Sequence, residues 1–381
     1  MRLFFITHTY SMQGSGGGEV FVVNFLKEMS KRGHKIFVFT TGTRYSREKE
    51  KKLGIKVYNA PSFGHHALHK FEYLIPGWIQ NKAVNFAKEF NAEIIHSQND
   101  ALPGLIGSKV KKKLKIPHVL AVEYLSDKNV SLNMKFVFAL NKFLLPRLNY
   151  DKIISWSKIV IDDFFLPWKI PKEKIELITG AIDTDAYRPK AKPLDFNKKY
   201  GKNLIVSAKP LHKTNAMGIS YTISAMKYVV KDFPNYKFLI AGDGTHKKNL
   251  EGQVKNQNLE NNVIFLGNVP IEKVPNLYSA AEIVVHSFAF KATTSVALME
   301  SMASGKAIVA TDSGEVSNTV KGTALLPESE NPKSIADAIV KFIQDPILAE
   351  EYGKNAREIA VKNYSIKAVC DKFEKLYASL L

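Results

Sequence analysis

The chain reads as α/β, with two doubly wound domains in tandem. Its 381 residues exceed what one ordinary hydrophobic core accommodates. Short apolar, β-rich runs alternate with helical patterns from end to end. Those runs also fall into two sets, separated by a stretch rich in Pro, Lys and Asp. A hydrophobic content of 45% with 24% charged residues is that of a folded globular protein.

The first set runs RLFFITHT, KIFVFTTG, IKVYNA, AEIIHSQ, HVLAVEYL, KIISWS and IELITGAI. Continuous apolar runs bounded by Gly, Asp and Ser mark strands of a parallel sheet covered on both faces. The second set is NLIVSAK, YKFLIAGDG, NVIFLGNV, AEIVVHS, KAIVATD and TALLP. The linker falls near residues 188–202, which predicts domains at 1–190 and 191–365. Ligands of such sheets bind beyond the carboxyl ends of the strands, and the cleft between two facing sheets is the expected site.

The single cysteine, Cys370, excludes an internal disulfide and a cysteine metal cluster and fits a reducing, cytoplasmic compartment. Met1-Arg2 runs straight into a strand pattern, so no signal peptide is expected, and no apolar window reaches membrane-spanning length. The net charge of +18 is uneven: residues 1–190 hold 30 Lys/Arg against 17 Asp/Glu. That half could face anionic lipid, a phosphorylated acceptor or nucleic acid, or simply solvate itself with lysine. The absence of a stacking-aromatic and arginine pattern argues against nucleic acid. Ser131 to Arg147 is apolar and basic, readable either as a helix at the inner membrane surface or as a buried helix interrupted by Pro146.

The most informative window is Thr293 to Gly314, a helix, a glycine stop, a buried strand and a turn. Glu300 stands there among Val296, Leu298, Met299 and Met302, and an ionised acid in apolar surroundings needs a partner. Thr293, Thr294 and Ser295 supply hydroxyls beside the unpaired N–H groups of the helix start, a phosphate cradle. The alternative is a solvated Glu on an amphipathic face. Gly14 to Gly18 opens the first helix after the first strand, where glycines admit a phosphate or sugar to the backbone. The second strand ends in Thr40-Thr41-Gly42 without the acid a nicotinamide site wants. Lys209 and Lys213 follow the first strand of the second domain and could neutralise a diphosphate. Gly242-Asp243-Gly244 is a tight turn, and Gly267-Asn268-Val269 could receive a nucleotide base. His65, His66 and His69 lack a nearby acid or cysteine, and Asp183-Thr184-Asp185 reads as turn chemistry, so no metal site is expected.

The chain resembles the retaining glycosyltransferases of family 4, which have the GT-B fold. The resemblance runs nearly end to end, through GSGGGEVFVVNFLKEMSKRGHKIFVFTT, EIIHSQ, IELITGAIDTDAYRP, LIAGDG, VIFLGNVP, VPNLYSAAEIVVHS, ESMASGKAIVATDSG and NPKSIADAIVKFIQDP. It implies transfer of a sugar from a nucleotide sugar, with retention and without a metal or other cofactor. The acceptor domain would be the first and the donor domain the second, with the final helix, 366–381, packing back on the first. Glu300 would bind the donor ribose, Lys209 and Lys213 the diphosphate with N–H groups near Thr294 and Ser295, and Gly16 and Gly17 the donor phosphate and sugar.

The chain departs from the family at polar positions. The glutamate usual eight positions before Glu300 is Ala292, an Arg is Lys209, and a Lys is Met217, with Lys213 displaced from it. A family His aligns with Glu123, which could supply the missing acid's role. The expected function is transfer to a lipid-linked, glycan or polysaccharide acceptor; the alternative is a sugar-nucleotide-binding protein with reduced or no turnover. A sugar-nucleotide epimerase on the same fold would need a different arrangement of acids.

Overall fold

The structure is a computed structural model that describes residues 1–7, 17–41, 53–60, 77–122, 132–189, 196–292 and 295–381. The chain divides into two compact units, residues 1–181 with 366–381, and residues 182–365.

The first unit holds a seven-stranded parallel sheet: β1 (Arg2–Thr7), β2 (Lys35–Thr40), β3 (Lys56–Asn59), β4 (Ile94–Asn99), β5 (His118–Val122), β6 (Lys152–Ser155) and β7 (Ile175–Leu177). Their order is β3-β2-β1-β4-β5-β6-β7. Alternation along β1 feeds both faces, Leu3 and Phe5 into one core and Phe4 and Ile6 into another. Helices Gly17–Lys31 and Ile366–Ala378 cover the first face. Val369, Cys370, Phe373, Leu376 and Tyr377 form the buried stripe of the C-terminal helix at helical spacing. Arg32 ties it down through Glu374 at 2.5 Å and Asp371 at 2.7 Å, and His34 pairs with Glu374 at 2.6 Å.

The second unit holds five parallel strands: β8 (Leu204–Ala208), β9 (Lys237–Ala241), β10 (Val263–Gly267), β11 (Ile283–His286) and β12 (Ala307–Ala310). They run β10-β9-β8-β11-β12. One face packs on helices Val274–Ala280, Val296–Ala303 and Pro346–Tyr364, the other on Lys213–Asp232, Lys247–Asn256 and Pro332–Gln344.

One expectation needs correcting. TALLP is no strand: it joins β12 through a single bridge at Leu325, because Pro327 follows and offers no N–H to extend the ladder. Residues 182–189 pack with the second unit. The Ile182 N–H donates to Tyr364 O at 2.9 Å, and Arg357 gathers the carbonyls of Thr184 and Tyr187.

Candidate functional site

Strand order reverses in the second unit between β8 and β11, whose chain continuations leave in opposite directions. Lys209 follows β8, and Ser287 and Phe288 follow β11. Lys209 Nζ donates to Ser287 O at 3.1 Å and sits 4.5 Å from the centroid of the Phe288 ring. The loop is fixed from beneath by Lys209 N–H on Ala241 O and Leu211 N–H on Asp243 O. Gly242, at φ +140°, comes so close that a Cβ there would lie 2.1 Å from Lys209 O. The Gly-Asp-Gly turn is therefore a support for the lysine. Half-buried Lys209 has its pKa pulled down to about 8 by burial. An ammonium has three donors, so the bond to Ser287 leaves two for an anion.

Helix Val296–Ala303 buries Leu298, Met299, Met302 and Ala303 and leaves Glu300 half-buried. Ser295 caps it, accepting from Leu298 N–H at 3.3 Å, so its hydroxyl already serves the helix end. The Tyr187 phenol lies beside the Glu300 carboxylate. The Tyr187 ring lies 6.2 Å from that of Tyr278, whose buried hydroxyl has no hydrogen-bond partner among the described residues. Burial pushes Glu300 up to about 7, against the opposing influence of the Tyr187 phenol. Burial, and then the charge of Glu300, raise Tyr278 well above the ordinary phenol range. Arg357 fixes the arrangement, donating to Thr184 O at 2.9 Å, Ala303 O at 2.5 Å and Tyr187 O.

Ala292 is buried, and no side chain longer than its methyl stands there. Its carbonyl accepts from Glu315 N–H at 2.8 Å, and Gly314, at φ +64°, approaches so closely that a Cβ would lie 2.1 Å from it. The segment is packed around a small residue.

The other sequence candidates lie apart or are otherwise engaged. Lys213 is exposed at the start of helix Lys213–Asp232 and lines, with Met217, Tyr221, His246 and Gln253, a cavity of about 250 Å³. Gly267, at φ +68°, accepts from Gly242 N–H at 2.8 Å, and Val269 packs partly buried on the core. Asp183 accepts from the N–H groups of Asp185 and Ala186 at 3.0 Å, an Asx turn. Among the described residues no group of three His, Cys, Asp or Glu could hold a metal. Gly17 begins helix Gly17–Lys31 after β1. Gly16, Glu123, Thr293, Thr294, His65, His66 and His69 lie outside the described residues.

Sequence reasoning missed Tyr187, Tyr278, Ser287 and Arg357. Each sits far along the chain from the group it serves, and no spacing rule connects them. The one available signal was the need of Glu300 for a partner.

Residues 191–359 match the family described as Glycosyl transferases group 1, and residues 15–186 match Glycosyltransferase Family 4. The chain belongs to the family 4 glycosyltransferases and has their GT-B fold. It is 26% identical to the alpha-monoglucosyldiacylglycerol synthase of Streptococcus pneumoniae, over 96% of this chain and 83% of that protein. It is 22% identical to the N-acetyl-alpha-D-glucosaminyl L-malate synthase of Bacillus anthracis, over 96% and 94%. The crystal structure of Anabaena HepE in complex with UDP matches with a TM-score of 0.79 at 20% identity, covering all of both chains.

Proposed function

We propose that this glycosyltransferase moves a sugar from a nucleotide-sugar donor, with retention and without a metal, to a lipid-linked, glycan or polysaccharide acceptor. The observation that carries the donor reading is Glu300. It is a half-buried acid on the donor-side module, beside one phenol and retaining acceptor capacity for a ribose diol. HepE, of the same fold, was crystallised with UDP and with UDP-glucose, which supports a uridine nucleotide as the first donor to test.

Negative charge develops on the departing diphosphate, and a fixed positive group there lowers the barrier more than it tightens ground-state binding. Lys209 is such a group, held by Ser287 O and the Phe288 ring before any ligand arrives. Lys213, Gly16, Gly17 and the N–H groups at Thr293, Thr294 and Ser295 complete the phosphate and sugar contacts in this reading, and Gly267 and Val269 receive the base. Front-face attack by the acceptor hydroxyl, assisted by the leaving phosphate, needs no nucleophilic carboxylate. Glu123 supplies the acid missing at Ala292.

A lipid acceptor is favoured by the relative named as a diacylglycerol glycoside synthase and by helix Leu132–Leu144. Lys135, Phe136, Ala139, Lys142 and Phe143 share its exposed face, with Phe136 51% and Phe143 58% accessible. Arg147 adds a guanidinium 4.2 Å over the Phe143 ring. Aromatic rings among cations suit an anionic lipid surface. Among the described residues no helix is long and apolar enough to cross a membrane.

The test is turnover of UDP-glucose and related donors with diacylglycerol and glycan acceptors. Nucleotide release, product anomer by NMR and activity in EDTA are the readouts. Inversion, or dependence on added metal, overturns the corresponding part. The closed packing around Ala292 favours a second reading, binding without transfer. Donor that raises the melting temperature but is neither hydrolysed nor transferred would establish it.

A further inference from the structure

We propose that Thr222 is a positioning residue: through the hydroxyl of Ser287 it holds the loop whose carbonyl aims the Lys209 ammonium at the phosphates of a nucleoside diphosphate. The inference rests on the reading of Lys209 as the diphosphate cation and adds what aims it.

Helix Lys213–Asp232 and the loop after β11 meet backbone to backbone. A Cβ at Gly218 would lie 2.1 Å from Ser287 O and 2.7 Å from the Ser287 carbonyl carbon, so the approach requires glycine. Hydroxyls close the contact. Ser287 Oγ donates to Gly218 O at 2.6 Å, and Thr222 Oγ1 lies 2.7 Å from Ser287 Oγ. A serine hydroxyl has one hydrogen, engaged here by Gly218 O, so Thr222 is the donor to Ser287. A mid-helix threonine commonly bonds back to the carbonyl four residues earlier. For Thr222 that carbonyl is Gly218 O, at 3.5 Å, and the nearer Ser287 Oγ has taken its place. Both side chains are buried, so water does not compete for either bond.

What this relay fixes is a carbonyl. Lys209 Nζ donates to Ser287 O at 3.1 Å. The peptides on either side of Ser287 are tied to the end of β12: Thr311 N–H donates to His286 O at 3.1 Å, and Phe288 N–H to Thr311 Oγ1 at 2.7 Å. The Ser287 side chain ties the residue between them to the helix. With Ser287 O held, one ammonium donor is committed in a set direction, and tetrahedral geometry directs the other two. A lysine ordered in advance meets an anion without losing that side-chain freedom on binding.

Two properties separate positioning from a merely structural bond. The effect of Thr222 must fall on the phosphates and not on the rest of the nucleotide, and it must disappear when Lys209 is absent. A double-mutant cycle reads the second property directly. Thr222→Val keeps the branched shape and removes the donor. Thr222→Ala removes it without setting a methyl against Ser287 Oγ, and Thr222→Ser restores it.

The experiment measures affinities of UDP, GDP and ADP, each beside its nucleoside, by calorimetry on the full chain at constant pH and salt. A free nucleoside diphosphate carries the charge that the leaving group gains, so its preference over the nucleoside reads the lysine contact. Wild type is expected to prefer the diphosphate, and Lys209→Met to reduce that preference about tenfold or more, the scale of a hydrogen bond to a charged group. Thr222→Val and Thr222→Ala are expected to reduce it about three- to fivefold, with nucleoside affinity unchanged and Thr222→Ser restoring wild-type behaviour. In the Lys209→Met background neither substitution at Thr222 should change it further. If wild type shows no preference in any pair, or Lys209→Met retains it, the diphosphate reading of Lys209 fails and the role of Thr222 with it. If Lys209→Met reduces the preference while Thr222→Val and Thr222→Ala keep it, that reading stands and the role of Thr222 is overturned. Equal weakening of nucleoside and diphosphate, or an undiminished Thr222 effect without Lys209, also overturns it, since either marks a structural role alone.

Discussion

His96 in the first unit and Glu300 in the second are both titratable groups drawn out of water, and they differ in how completely their polar atoms are matched. His96, on β4, has Nδ1 against the Tyr377 hydroxyl and Nε2 against Gln98 Oε1 at 2.7 Å. Burial lowers its pKa to about 3, against the bond from Gln98, and it stays neutral. Glu300 has the Tyr187 phenol near it, a second buried phenol, Tyr278, unpartnered among the described residues, and a carboxyl near its own titration point. Complete matching fixes the C-terminal helix to the sheet and leaves nothing for a ligand. Incomplete matching is a destabilised arrangement that a ligand can relieve.

The strongest way to break this contrast is Glu300→Ala. Loss of two charge-assisted hydrogen bonds to a diol, about 1.5–3 kcal/mol each, predicts about a hundred- to ten-thousandfold fall in kcat/KM for the donor. The melting temperature is expected to hold or rise, because a desolvated acid has gone. A large drop in melting temperature would make Glu300 structural.

His96→Ala should do the reverse. Removing a buried ring and orphaning Gln98 and Tyr377 is expected to cost about 3 kcal/mol of stability in urea titrations. Nucleotide affinity should be retained under native conditions, and a change in that affinity with stability intact would remove the distinction.

Lys209→Met tests whether the cation at the strand-order reversal acts on the leaving group, with about a ten- to hundredfold loss expected mainly in kcat. The lysine charge is present below about pH 8 and lost above it, and the Glu300 charge is present above about pH 7 and lost below it. Donor turnover should therefore peak between these values, and Lys209→Met should lose the alkaline limb.

Glu374→Gln is the smallest effect, about 0.5–1 kcal/mol of stability, measured by thermal melts across pH. Burial works to raise the pKa of Glu374, but His34 and Arg32 hold it below the ordinary carboxylate value. Its stabilisation is fully present above that ordinary value and disappears as pH falls through the lowered one. The difference between variant and wild type should vanish in acid.

Twelve strands were legible because apolar runs covered on both faces leave little ambiguity of period. TALLP failed because its apolar composition suggested a strand, while pairing stopped after one bridge and Pro327. Glu300 was legible as an anomaly, an acid in an apolar helix. Lys209 was legible as a residue but not in its state, since its inward turn onto Ser287 O depends on β11 lying next to β8.

The sequence by itself determined two doubly wound units, the family, and an acid that had to find a partner. Those properties follow from hydrophobic period, glycine placement and desolvation, which act locally along the chain. Only the tertiary structure decided that the phenol beside it is Tyr187, that Arg357 ties the Tyr187 backbone to that of Ala303, and that Ala292 is closed in by Gly314. Hydrogen bonds are short and directional, so which distant residues meet is set by strand order and helix packing, information that no local spacing contains.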